Sequence, residues 1–418
     1  MSVLDVWIDD TTLGGRARVG QLDRMRARVG EALSFEYDGT WLDGTGPVPG
    51  FELDPDLPLY AGRIHAPAGA ASLTGAFQDC SPDRWGRVLM DRREAIEARA
   101  AGRRPVPLRD WDYLVGVHDH ARMGALRLRE PGTDRYVDDR RLAAPPLAEL
   151  RTLEEYARRL EEDPDAPLAD QQRWLAQLLA PGSSLGGARP KASFSDTDGS
   201  LWLAKFPSTE DRHDVGLWEL VMHRLAIDAG IDMPPARKLA LSGHGHTFAV
   251  ARFDRTGESR RAFASAMTLL GADDSTGFSY LDLADLVSRV GASGTIAANL
   301  EQLFRRMVFN VLVANRDDHL RNHGFLREGN GWILSPAFDV NPNPYKDGHA
   351  LGVCFEDPAP AAASLLEMRD FFRLSADGAR SILDDVRQAV GRWDSVARDE
   401  GAGRGEIAGM SAVIDPAR

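Results

Sequence analysis

One stretch of the chain concentrates groups that can take up a proton and hold a cation. It is Asn315-Arg316-Asp317-Asp318-His319-Leu320-Arg321-Asn322, followed by a further carboxylate, Asp339, in Leu334-Ser335-Pro336-Ala337-Phe338-Asp339-Val340. A carboxylate such as Asp317 can accept the proton of an attacking hydroxyl. The Asn322 amide oxygen and the Asp339 carboxylate are the hard oxygen ligands that an octahedral Mg²⁺ takes. The cluster follows an apolar stripe of Leu300, Leu303, Phe304, Met307, Val308, Val311 and Leu312. That spacing is one face of a helix over 295–314, so a core element should hold the cluster rigidly. Two plainer readings stay open at this point. Asp317 and Asp318 could cap turns with His319 a buried hydrogen-bonding residue, or His319 and His323 could form a transition-metal site.

The spacing Arg-Asp-x-x-x-x-Asn is that of a protein-kinase catalytic loop without its leading His, and Asp339 stands where the second metal anchor belongs. The chemistry is then phosphoryl transfer from Mg-ATP. Upstream, Ser183-Ser184-Leu185-Gly186-Gly187-Ala188-Arg189-Pro190-Lys191 is a small-residue loop that lacks both the Walker closing Gly-Lys-Ser/Thr and a Gly-x-Gly-x-x-Gly pattern. It is followed by a hairpin over 191–206 with Asp-Gly turn chemistry. Alternation places Lys205 on the face of Leu201 and Leu203. A helix over 213–229 then carries Glu219. Loop, strand, Lys and helix Glu come in the order of a kinase N-lobe. Lys205 would hold the α/β-phosphates, with Glu219 fixing Lys205 and with Gly186, Gly187, Ala188 and Lys191 beside the nucleotide. At the end of the last strand before the helical part, the backbone around Ala251 and Phe253 would pair with adenine, and Asp254 would reach the ribose. Taken singly, Lys205 is equally a snorkelling strand residue, Glu219 a solvated helix residue and 250–255 a plain strand end.

The elements that must position these groups are readable in outline. Strands are expected at 3–8, 32–37, 57–60 and 123–129, and a helix from Asp83 to about Ala101. Residues 134–146 read as a linker, followed by helices over 147–162 and 170–180. Strands at 237–241 and 247–253 precede a mainly helical part, with helices over 281–290, 295–314 and 375–393 and a hairpin over 324–334. The tail from about Ala397 is Gly-rich and expected to be poorly ordered. With 418 residues the chain is too long for one ordinary core. The net charge of −13 argues against direct DNA binding over the whole surface. Cys80 and Cys354 form no disulfide or metal framework, which fits a reducing cytoplasm. No apolar run reaches a bilayer span, so no membrane association is expected.

As an ordered set, these motifs resemble the HipA family, serine/threonine kinase toxins of type II toxin–antitoxin modules. The blocks that carry the likeness are 183–192, Val250-Ala251-Arg252-Phe253-Asp254-Arg255, Arg316 to Asn322 and Pro336-Ala337-Phe338-Asp339-Val340. Ala76 to Gly86 and Gly124-Ala125-Leu126-Arg127 resemble the family's N-terminal domain. Arg189-Pro190 departs from the Gln-Glu of some relatives. The resemblance implies an α+β, protein-kinase-like two-lobed fold: an extra α+β subdomain over 1–135, an ATP-binding N-lobe-like region over 147–254 and a helical catalytic lobe over 255–396, before the 397–418 tail. It implies ATP and Mg²⁺, with Asp317 as base, Asn322 and Asp339 as metal ligands and His319 near the nucleotide. It also implies transfer to Ser/Thr of a protein such as an aminoacyl-tRNA synthetase, and self-phosphorylation at Ser184, with Ser183 the neighbouring candidate. The implied partner is a small helix-turn-helix, HipB-like antitoxin, through which alone the chain would meet DNA. A small-molecule kinase on a similar fold and a non-catalytic, antitoxin-binding corepressor are the alternatives.

Overall fold

The computed structural model describes residues 2–26, 31–65, 73–139, 144–163, 166–179, 187–353 and 362–417. Ser183, Ser184, Gly186 and Cys354 lie outside them. The chain forms two compact units: Met1–Glu210 with Asp254–Ala264 and Thr268–Asp273, and Asp211–Phe253 with Ser265–Met267 and Asp274–Arg418. This differs from the expected boundaries, because 147–210 joins the N-terminal part and 211–253 joins the helical part. The packing explains it. Ser195 N–H donates to Pro145 O at 2.9 Å, and Lys191 pairs with Asp83. In the other unit, Trp218 packs on Trp393 with ring centroids 6.2 Å apart.

The first unit is built on an antiparallel sheet of order β4-β3-β2-β1-β5, formed by β1 (Val3–Asp10), β2 (Gly15–Arg26), β3 (Glu31–Tyr37), β4 (Arg63–His65) and β5 (Leu126–Arg129). In β1, every second residue is buried, with Leu4, Val6 and Ile8 facing the core, as strand alternation requires. The 12-residue β2 was not expected from the sequence. Its arginines are partnered by acidic residues, Arg18 with Asp5 on β1 and Asp38 just after β3, and Arg24 with Glu31 on β3 and Asp112 in the Asp110–Val115 helix. The strand expected at 57–60 is absent: this stretch is irregular and bent, and Leu57 is anchored by Tyr37 Oη donating to its carbonyl at 2.6 Å. The Arg84–Ala100 helix begins where expected, because the Asp83 carboxylate accepts from Gly86 N–H at 2.8 Å as an N-cap. A hairpin of β6 (Lys191–Ser195) and β7 (Leu201–Lys205) completes this unit's share of the expected nucleotide-binding residues.

The second unit is mainly helical. Its Val215–Asp228 helix is capped by Asp214 and is followed by the antiparallel pair β8 (Ala236–Leu239) and β9 (Thr247–Ala251). The Ile296–Leu312 helix is its spine, buried along Leu300, Leu303, Phe304, Met307, Val308, Val311 and Leu312 as the stripe predicts. The hairpin Gly324–Glu328/Gly331–Leu334 is pinned to the end of the Tyr280–Val290 helix. Ala292 N–H donates to Trp332 O at 3.0 Å, and a Cβ on Gly331 would lie 2.4 Å from Ala292 N. The expectation of a poorly ordered tail is corrected. Trp393–Asp399 and Arg404–Met410 are helices, Met410 and Ile414 are buried, and Asp415 N–H donates to Leu312 O at 3.1 Å. Apolar residues spaced among the glycines supply that anchoring. Among the described residues, no helix is long and apolar enough to cross a membrane.

Candidate active site

The second unit delivers Asp317 from a buried helix end. The Ile296–Leu312 helix closes with Ala314 in the left-handed region, φ 53°, and Asn315 N–H donates to Asn310 O at 2.9 Å. This is a Schellman closure with Ala in place of the usual Gly. The chain reverses there, and Arg316, Asp317 and Asp318 follow. The two adjacent aspartates have opposite surroundings. The Asp317 side chain is 52% exposed, whereas that of Asp318 is 4% exposed.

Asp318 is the hub of a buried network. Tyr280 Oη donates to Asp318 Oδ2 at 2.5 Å, and His323 Nε2 lies 3.1 Å from the same oxygen. Asn310 Nδ2 donates to Tyr280 Oη at 2.8 Å, and Asn315 Nδ2 to Asn310 Oδ1 at 3.2 Å. Burial alone would push the Asp318 carboxyl up. The His323 ring, the Tyr280 hydroxyl and nearby His319 outweigh it and hold the group below the usual carboxylate range. Burial and the Asp318 charge push Tyr280 well above the ordinary phenol value, so it remains a donor.

Asn322 closes a short 3₁₀ turn, Leu320–Asn322, with Nδ2 toward Asp317 O at 3.5 Å. No protein donor among the described residues claims its Oδ1. Asp339 is a non-glycine residue at φ 60°, a strained conformation that the surroundings must enforce. Hydrogen bonds on either side do so. Ser335 N–H donates to Gly324 O at 2.9 Å, Ala337 N–H to Asp232 O at 2.8 Å, and Asn343 N–H to Ala314 O at 2.9 Å. Arg306, on the spine helix, donates to Ser335 O at 2.6 Å. Burial lowers its pKa to about 10, which leaves it a cation at neutral pH. Asp339 is thereby bracketed between the strand that follows Asn322 and the turn that precedes Asp317. Phe253 stacks on Phe338 at 5.4 Å, which brings the strand end at Ala251 and Phe253 beside this segment.

Asn322 and Asp339 offer two oxygen ligands, which suits Mg²⁺ completed by waters and phosphate oxygens. The unclaimed Asn322 Oδ1, and the His319 Nδ1 that is buried without a partner, are polar atoms consistent with a ligand there. Among the described residues no group of three His, Cys, Asp or Glu could hold a metal alone. His323 is engaged by Asp318 through Nε2, and its Nδ1, like that of His319, is buried without a hydrogen-bond partner.

In the first unit, β6 and β7 pair Lys191 directly with Lys205, so both side chains share one face. The charge of Lys191 is answered: its Nζ lies 2.6 Å from Asp83 Oδ2 and 3.0 Å from Gly187 O, and its side chain is 2% exposed. Lys191 is thus placed as a pin of the loop that carries Gly187. Gly187 adopts φ 109°, and a Cβ there would sit 3.1 Å from Lys191 Nζ, so the pin needs glycine. Ala188 follows it, exposed. Lys205 is buried on the same face. The expectation for Asp254 is corrected. It is fully buried, accepting from Gly124 N–H at 2.7 Å and pairing with Arg255, so it anchors the strand end and does not present a carboxylate to a ribose. Glu219 lies in the second unit, buried on the Val215–Asp228 helix. Reading the sequence missed Asp83, Tyr280 and the two groups that contact Asp317, Asn343 and Lys346. The Asn-Pro-Asn-Pro run after Asp339 marked a turn there without showing what it faces.

Residues 183–393, just over half of the chain, match the family described as HipA-like C-terminal domain. In Sinorhizobium fredii (strain NBRC 101917 / NGR234), the protein named "Putative kinase Y4mE" is 25% identical, over 96% of this chain and 86% of its own length. From the same organism, "Putative kinase Y4dM" is 27% identical, over 61% of this chain and 69% of its own. Among solved structures, the HipA toxin–antitoxin complex of Shewanella oneidensis MR-1, with HipB and its operator DNA, superposes with a TM-score of 0.64 at 17% identity, covering 98% of this chain and 95% of that one. That likeness shows the fold, which is the α+β, kinase-like class expected from the sequence. With the family match spanning the Arg316–Asn322 loop, the Asp339 block and the Lys205 hairpin, the chain belongs to the HipA family of kinases.

Proposed function

We propose that the chain is an ATP-dependent serine/threonine-protein kinase acting as the toxin of a type II toxin–antitoxin module. The observation that carries this reading is Asp317 itself. It is a half-exposed carboxylate on a loop whose other anchors are buried, beside an Asn322 amide oxygen with no protein donor and a strained Asp339. A seryl or threonyl oxygen attacks the γ-phosphorus, its proton passes to Asp317, and the bond to the β–γ bridging oxygen breaks to release ADP. Asn322 and Asp339 would hold Mg²⁺, which when bound neutralises phosphate oxygens. Lys205 is suited to the α/β-phosphates, with Glu219 as its proposed partner. Gly186, Gly187 and Ala188 form the loop beside them, and the backbone at Ala251 and Phe253 is suited to adenine.

The proposed target is a cellular protein, with an aminoacyl-tRNA synthetase as the class, and Ser184 (with Ser183 beside it) is the proposed site of self-inactivation. A phosphate there would add about −1.5 to −2 charges next to the nucleotide phosphates. The proposed partner is a small HipB-like, DNA-binding antitoxin, which would supply the basic surface that a chain of net charge −13 lacks.

Radiolabelled ATP and Mg²⁺ with the purified chain and a cell lysate test the reading. Transfer to Ser/Thr is expected, falling roughly 10²–10⁴-fold for Asp317→Ala with ATP affinity retained. Phosphate should appear in the 183–191 peptide by mass spectrometry. Undiminished transfer by Asp317→Ala would overturn the assignment of the base. Labelling of a small molecule alone would favour a metabolite kinase.

A further inference from the structure

We propose that Lys346 is a further catalytic residue, the cation that meets the γ-phosphoryl group as it passes to the acceptor hydroxyl beside Asp317. The inference rests on the kinase reading above. Lys346 Nζ contacts Asp317 Oδ1, and Asn343 Nδ2 donates to Asp317 Oδ2. The segment carrying both is fastened to the Asp317 loop through its backbone. Asn343 N–H donates to Ala314 O at 2.9 Å, and Ala350 N–H donates to Arg316 O at 3.1 Å. The Arg316 guanidinium donates to the carbonyls of Asn343, at 3.4 Å, and of Lys346. The Lys346 backbone is therefore fixed relative to Asp317.

The side-chain pair is weaker in kind. Lys346 and Asp317 are 51% and 52% exposed, and an exposed pair contributes about 0–1 kcal/mol. That is too little to lock the base away, as an autoinhibitory strap would have to. A phosphoryl group carrying about two negative charges attracts the ammonium roughly twice as strongly as one carboxylate at equal distance and screening. The ammonium can swing from Asp317 Oδ1 to a phosphoryl oxygen without backbone movement. In the step, the acceptor oxygen bonds to the γ-phosphorus, the bond to the bridging oxygen breaks and its electron pair leaves with ADP. The proton goes to Asp317, whose oxygen Lys346 has vacated. Lys346 stays protonated and stabilises charge on the transferred group.

The test uses Lys346→Ala and Lys346→Arg in the full chain, with calorimetric Kd values for Mg-ADP alone and for Mg-ADP with aluminium fluoride, beside kcat. Lys346→Ala should leave the Mg-ADP Kd within about twofold, and weaken the aluminium fluoride complex and kcat by on the order of 100-fold. Lys346→Arg should recover most of the loss. Wild-type affinity of Lys346→Ala for the aluminium fluoride complex would overturn the proposal while the kinase reading stands. So would a raised kcat, which would make the contact inhibitory. A wild-type chain that binds no Mg-nucleotide would remove the kinase reading and this proposal with it.

Discussion

At the scale of single residues, burial decides which of several equivalent groups remains available to a ligand. Asp317 and Asp318 are the same side chain one position apart, and their motif spacing alone selects Asp317. The structure supplies the reason: Asp318 is enclosed by Tyr280, His323 and, through Tyr280, Asn310. Tyr280→Phe leaves one acceptor of Asp318 and one donor of Asn310 unmet, and should cost about 1–3 kcal/mol of stability in urea unfolding. Asp54 offers a second test at this scale. Burial raises its carboxyl to about 6, against which the Ala76 and Asp56 N–H groups pull only partly, from an ordinary value of 3.8. A group whose folded pKa is raised stabilises the fold below its unfolded pKa, and that stabilisation is lost as pH rises through the folded value. Asp54 should therefore lower stability by about 2 kcal/mol between pH 4 and pH 7. Urea midpoints of wild type and Asp54→Asn should diverge in favour of the variant as pH rises across this window. Parallel curves would refute the assignment.

At the scale of elements, the sequence marked where helices start more reliably than what their ends hold. Asp83 was legible as the opening of a helix, yet nothing local showed that its carboxylate also receives Lys191, 108 positions away in the chain. Removing Asp83 deletes a cap and leaves a buried ammonium short of its counter-charge. Asp83→Ala should cost about 3–5 kcal/mol, and the double variant Asp83→Leu/Lys191→Met should recover most of it. A double variant that loses the sum of the two single-variant losses would show that the pair does not interact. Ala314 carries a left-handed φ that glycine adopts without penalty, so Ala314→Gly should raise stability by up to about 1 kcal/mol. The 12-residue β2 escaped notice because its arginines break the apolar alternation, and only the acidic residues facing them across the sheet make the strand intelligible.

At the scale of the whole chain, the C-terminal residues belong to the fold. Glu406 accepts from Asp214 N–H at 2.7 Å, and Met410 and Ile414 are buried. Truncation after Gly403 should remove roughly 3–6 kcal/mol, from about 1.5–3 kcal/mol per buried side chain, read as a fall in Tm. A tail that merely trailed in solvent would leave Tm unchanged. By itself the sequence determined the chemistry on offer. A spacing of Arg, Asp and Asn, a carboxylate at Asp339 and an apolar helical stripe are local patterns, and local patterns survive without tertiary knowledge. Only the tertiary structure decided which groups are engaged and which remain available. It gave Lys191 and Asp254 to structural pairs, buried Asp318, exposed Asp317, forced Asp339 into a strained backbone conformation and brought Lys346 to Asp317. Burial and pairing are made by residues far apart in the chain, and no spacing along the sequence encodes them.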